Sequence, residues 1–169
     1  MFGVRGRMSR ELTGGEVLAI AEKMEQNAAR FYRRAAGMYK DPKISKLFSD
    51  LAQWEKRHIE VFAELKKRLS QQAWGIGQYG AERSSSFRPQ TPVSVFPDGA
   101  DPAKALTGQE TKAELLRKAI EKEKEAIEYY TSLKDFVPDK EDAQQVVKKI
   151  LDEEQRHVRI LTQSLEGIS

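Results

Sequence analysis

The chain has two histidines, and each follows a glutamate by three residues, in Glu55-Lys56-Arg57-His58 and in Glu154-Gln155-Arg156-His157. Glutamate makes up 18 of the 169 residues, so finding both histidines in this pairing is an uncommon accident of composition. On a helix, positions i and i+3 project from one side. A carboxylate and an imidazole at that spacing can grip a single metal ion. One such pair is ordinarily a solvated contact; two in register carry a different message.

Two more glutamates complete the pattern. The halves of the chain match at an offset of 98 residues (Glu25 to Glu123) to 99 residues (Glu55 to Glu154). Glu25 with Tyr32 and Glu123 with Tyr130 are both Glu-x6-Tyr. Each of the four glutamates interrupts an apolar helical stripe. Leu18, Ala21 and Ala28 flank Glu25, and Phe48, Leu51 and Ile59 flank Glu55. Leu116, Ala119 and Ile127 flank Glu123, and Val147, Ile150 and Val158 flank Glu154.

Burying an ionised carboxylate without a partner costs several kcal/mol, and four together also repel. No lysine or arginine occupies these stripe positions. Four negative charges are balanced by two divalent cations, and two neutral imidazoles complete the coordination. The reading is a dinuclear metal site. Mixed carboxylate and imidazole donors suit iron or manganese, and zinc fits as well. The adjacent Glu153 is excluded as a ligand, because it would turn the helix by about 100° and break the stripe of Leu151 and Val158. Glu121, Glu125 and Glu128 sit among lysines and read as a solvated face.

Four long helices must position these groups. The first opens with the capping pair Thr13 and Glu16 and ends near Lys40. Asp41-Pro42 opens the second, which runs to about Gln71. The third starts at Thr111 with Glu114 three residues on and stops before Pro138. The fourth runs from about Lys140 to Glu166, with Gly167 past its end. Residues 72–110 hold four prolines and several glycines, yet also Trp74, Tyr79, Phe87 and Phe96. We read them as an ordered crossover covering the bundle or a neighbouring subunit, with a short helix after Asp101-Pro102. The expected fold is all-α: an antiparallel four-helix bundle of two hairpins with one long crossover over residues 13–169, preceded by a basic tail at 1–12.

The bulk composition sets limits. With 29 basic and 26 acidic residues the net charge is +3, which carries no electrostatic footprint for nucleic acid. The absence of cysteine excludes thiolate zinc sites, iron–sulfur clusters and thiol catalysis within these residues, and fits a cytoplasmic setting. No stretch approaches the roughly 20 apolar residues of a membrane span.

Two Glu-x6-Tyr and two Glu-x-x-His motifs, in this order on four helices, resemble the rubrerythrin family of the ferritin-like superfamily. The resemblance covers about residues 13–71 and 111–166. It implies Glu25, Glu55, His58, Glu123, Glu154 and His157 as ligands to two iron ions, with Glu55 and Glu123 bridging them. It implies Tyr32 and Tyr130 as supporting groups that hydrogen-bond ligand carboxylates. It further implies peroxidase or ferroxidase chemistry with hydrogen peroxide or O2, a homodimer, and an external electron donor such as a rubredoxin-like protein. Two departures stand out. The family's Cys-rich rubredoxin domain has no counterpart in these residues, and the family's extra glutamate on the third helix falls at Ala126, which weakens the expectation of efficient peroxide turnover. Two rivals remain: a non-catalytic metal-binding bundle, and a hydroxylase or oxidase of an organic substrate.

Overall fold

The computed structural model describes residues 14–71, 102–137 and 141–168. Within them lie four helices: α1 (Gly14–Met38), α2 (Pro42–Gln71), α3 (Lys112–Phe136) and α4 (Glu141–Glu166). A 3-10 turn, Pro102–Ala105, precedes α3. The architecture is the all-α bundle read from the sequence. The basic tail, the Thr13 cap and the aromatic stretch at 74–96 fall outside the described residues.

Local chemistry sets the helix ends. The Asp41 carboxylate accepts from the Lys43 and Ile44 backbone N–H groups at 3.0 and 3.4 Å, satisfying donors that the first turn of α2 leaves open. Thr111 and Glu114 form a reciprocal capping box at the start of α3. Helix α4 closes where the Gly167 N–H reaches the Gln163 carbonyl at 3.1 Å. Helix α1 stops at Met38, two residues short of the expected Lys40, and leaves the short link 39–41 to reverse the chain.

Helix α1 packs on α2, α3 on α4, α1 on α3, and α2 on α4. One apolar cluster joins the beginnings of α1 and α4 to the ends of α2 and α3, through Val17, Leu18, Phe62, Leu65, Leu133, Val147 and Ile150. A second cluster joins the opposite ends, through Phe31, Phe48, Leu51, Leu115, Leu116 and Leu161. Helices in contact are therefore antiparallel, and α2 and α3 run the same way. The chain between them thus starts at one end of the bundle and finishes at the other. Leu106, buried after the 3-10 turn, belongs to the second cluster, and its carbonyl accepts from Arg34 at 2.7 Å. The two apolar layers sandwich a polar one.

Candidate metal centre

Glu25, Glu55, His58, Glu123, Glu154 and His157 are all buried, each at 3% exposure or less, in that middle layer. The stripes explain how: every helix supplies one carboxylate from its core-facing side, and α2 and α4 add an imidazole one turn later. The six side chains fall into two overlapping groups. Glu25, Glu55, His58 and Glu154 bring one ligand atom each within 4.8 Å of one another, and so do Glu55, Glu123, Glu154 and His157. Every sequence-derived ligand candidate is thus in one place.

The shared members differ from the expectation. Glu55 and Glu154 belong to both groups, whereas Glu123 belongs to one. Glu55 and Glu154 are therefore the two carboxylates placed to serve both groups, where the resemblance implied Glu55 and Glu123. The reason is positional. Glu55 and Glu154 come from α2 and α4, the antiparallel pair that also carries the histidines, so each reaches its own histidine and the opposite one. His58 Nδ1 lies 3.1 Å from Glu55 and 3.0 Å from Glu154. His157 Nδ1 lies 3.0 Å from Glu154 and 3.4 Å from Glu55. Glu25 and Glu123 each approach a single histidine, at 3.5 and 3.6 Å.

These distances are close without being hydrogen bonds throughout. Both oxygens of Glu55, one oxygen of Glu154 and His58 Nδ1 are buried and lack a hydrogen-bond partner among the described residues. Native interiors rarely tolerate such orphans. Oxygens and a ring nitrogen that converge on a point without bonding one another are arranged as ligands are. The donor set also fits, since each group offers three carboxylates and one imidazole and the charges of two divalent ions cancel the four glutamates.

Metal-free electrostatics show the same stress. Burial, reinforced by Glu55 and Glu154, pushes the Glu25 carboxyl well above its ordinary range. Burial, with the Glu154 charge, pushes Glu123 up to about 8. Burial opposes charge on both imidazoles, but the carboxylates around them outweigh it. His58 is driven strongly upward, and His157 up to about 12. Without metal, protons take the place of the cations.

The tyrosines cross between the halves. Tyr32 on α1 donates to Glu123 on α3, and Tyr130 on α3 donates to Glu25 on α1. Each hydroxyl fixes a carboxylate that serves only one ligand group.

The outer surroundings of the histidines hold contacts that the sequence did not show. Glu153, set aside as a ligand, accepts from or shares a proton with His58 Nε2 at 2.9 Å. Trp54 stacks on His157, with ring centroids 5.0 Å apart and planes 12° apart, and the Arg156 guanidinium lies 5.7 Å from the Trp54 ring. Only the offset of 99 residues, which equates Trp54 with Glu153, hinted that the two positions are related.

On the opposite side of the carboxylates, between α1 and α3, is a cavity of about 40 Å³. Glu25, Glu55, Glu123 and Glu154 form its floor, with Tyr32 and Tyr130 beside them. Met24, Ala28, Lys122, Glu125 and Ala126 complete its lining. Glu125 is half-buried here, so the solvated face read for Glu121, Glu125 and Glu128 holds for Glu121 and Glu128 alone. Lys122, unremarked in the sequence, lies over the Phe31 ring at 5.3 Å, and burial lowers its pKa.

A four-helix bundle with this carboxylate and imidazole core defines a ferritin-like class of protein. The resemblance is to the rubrerythrin family: the family model described as Rubrerythrin matches residues 7–66, which span α1 and most of α2. A crystal structure from Thermotoga maritima, described as that of a ferritin-like diiron-carboxylate protein, is 28% identical and superimposes with a TM-score of 0.72. The match covers 95% of this chain and 99% of that one. No curated protein matches the sequence. Among the described residues, no helix is long and apolar enough to cross a membrane.

Proposed function

We propose that the protein is a diiron oxidoreductase of the peroxidase or ferroxidase type, acting on hydrogen peroxide or O2. Two lines support iron at the centre: the donor set, and the likeness to a structure described as a diiron-carboxylate protein. Glu25, Glu55, His58 and Glu154 would hold one ion, and Glu55, Glu123, Glu154 and His157 the other. Bound ferrous iron would supply one electron per ion, so that one peroxide takes up two electrons and two protons and leaves as two waters.

The observation that carries the choice of substrate is the size of the cavity. At about 40 Å³ it has room for roughly three water-sized molecules, at 10–15 Å³ each. Pockets for organic ligands run to about 300–1,000 Å³. The cavity therefore favours a small oxidant and disfavours a hydroxylase of an organic substrate. Ala28 and Ala126, equivalent residues of the two halves, keep its walls low beside the carboxylates. Tyr32 and Tyr130 hold Glu123 and Glu25 in place and keep a hydroxyl proton beside each. The apolar layers at either end exclude water from the centre.

Electrons for repeated turnover come, in this reading, from outside these 169 residues, from a donor such as a rubredoxin-like protein or from iron itself, since none of the 169 is a cysteine that could build an iron–sulfur relay. We also propose a cytoplasmic homodimer. The deciding experiment is anaerobic loading with Fe(II), then stopped-flow mixing with hydrogen peroxide and, separately, with O2. Two irons per chain and faster ferric absorption with peroxide support the peroxidase form. Faster reaction with O2 supports the ferroxidase form. Two bound ions that neither oxidant changes leave a structural or storage bundle, and failure to bind iron removes the reading.

A further inference from the structure

The two halves repeat the ligands but not what stands behind them. Glu153 and Trp54 occupy equivalent positions, each one residue before a ligand glutamate, and each faces the histidine of the other helix. Glu153 places its carboxylate 2.9 Å from His58 Nε2. Trp54 places an indole face on His157, with centroids 5.0 Å apart. Among the described residues, the carboxylates near His157 all approach Nδ1, and none lies within salt-bridge distance of its Nε2.

A ligating imidazole that donates its outer N–H to a carboxylate is held in one tautomer and one orientation, with a more basic metal-facing nitrogen. His58 has that arrangement. His157 has its ring plane fixed by stacking, but no negative charge strengthens its inner nitrogen. We infer that the two metal positions are unequal: the ion ligated by His58 is held more tightly, and the ion ligated by His157 enters last and leaves first. Glu153 and Trp54 are the positioning residues that set this order. The inference rests on the two-metal reading of the preceding section. It goes beyond that reading by assigning a resident position and an exchangeable one.

The test uses the full chain and Co(II), with no turnover. Chelator competition measures the two dissociation constants, and a crystal grown with one equivalent of Co(II) shows by anomalous scattering which position fills. The expected result is two separated constants with the first ion beside His58. Glu153→Gln should weaken the tighter constant by about 10–100-fold, the usual cost of losing such a partner. Trp54→Glu, which supplies the missing carboxylate, should tighten the weaker constant and bring the two together. A merely structural role for Glu153 would lower the thermal stability of the metal-free protein and leave the ratio of constants alone. Equal constants, or an unchanged ratio in Glu153→Gln, overturn the inference and leave the two-metal reading standing. Failure of the wild-type chain to bind two Co(II) overturns both.

Discussion

The surroundings of His58 and of His157 show how far a repeat keeps its symmetry. Toward the metal centre the two histidines are near copies, each within 3.0–3.6 Å of three carboxylates. Away from it they part, one toward an acid and the other under an indole. The inner layer is constrained because four buried charges need balance whatever lies outside. The outer layer is half in water, where a substitution changes affinity without unfolding the bundle. Constraint follows burial, and divergence follows exposure.

The sharpest way to break the comparison is to remove ligands one half at a time. Glu55→Ala and Glu154→Ala should each abolish stable binding of both ions, because both groups share these residues. Glu25→Ala and Glu123→Ala should each leave about one ion per chain, since each removes a ligand from a single group. Elemental analysis after gel filtration reads this directly. If Glu123→Ala lost both ions while Glu154→Ala kept one, the bridge would belong to Glu123 after all.

Removing both metals tests the layer as a whole, through pH. Glu123 titrates near 8 when folded and His157 near 12, both above their ordinary values, and Glu25 is also raised. At these three groups the folded metal-free chain thus binds more protons than the unfolded one. Their contribution to stability should be greatest below the ordinary glutamate range and fall as pH rises toward 8, with His157 adding to the fall above about 6.5, while Glu154, held below its ordinary value, works the other way in acid. Metal ions replace those protons, so the loaded protein should lose less stability over the same window. Melting curves with and without chelator across pH 5–8 give the answer, and parallel curves would sink the idea.

The tyrosines make a smaller test of symmetry. Tyr32→Phe and Tyr130→Phe each deprive a buried carboxylate of a donor, which costs about 1–3 kcal/mol. Because the two bonds are reciprocal, urea unfolding should show similar losses for both. A large difference would mean that the inner layer is as uneven as the outer one.

The least effect is expected where the halves have no common feature. Glu110 accepts from the Thr107 and Gly108 backbone N–H groups at 2.9 and 3.0 Å and from Lys118 at 3.0 Å, just before α3. Those bonds hold its carboxyl at about 2, so their contribution is present at neutral pH and lost as pH falls through that value. Glu110→Gln should shift the melting temperature least of all these variants, and the difference should close in acid.

Much of this was legible because helical period reports burial. Glu25 among Leu18, Ala21 and Ala28 faces the core whatever lies opposite. Asp41 and Thr111 announce helix starts because capping is local. Period does not say which residues meet across helices. Register sets Glu153 aside from the ligands, and it stands outside both four-residue groups, yet its contact with His58 belongs to the crossing of α2 and α4, which no single helix encodes. The same holds for Trp54 on His157, for Glu154 within reach of both histidines, and for Lys122 and Glu125 beside a cavity that exists only once α1 and α3 are side by side.

The reciprocal bonds of Tyr32 and Tyr130 have a consequence for ancestry. Each half lends a proton donor to a carboxylate of the other, so one hairpin by itself cannot complete the inner layer. Two identical hairpins related by a two-fold axis could complete it. Such an ancestor would have carried the same side chain at both outer positions, because an isologous pair repeats every contact. Two halves in one chain are free of that tie, and Trp54 and Glu153 are equivalent positions at which they carry different side chains.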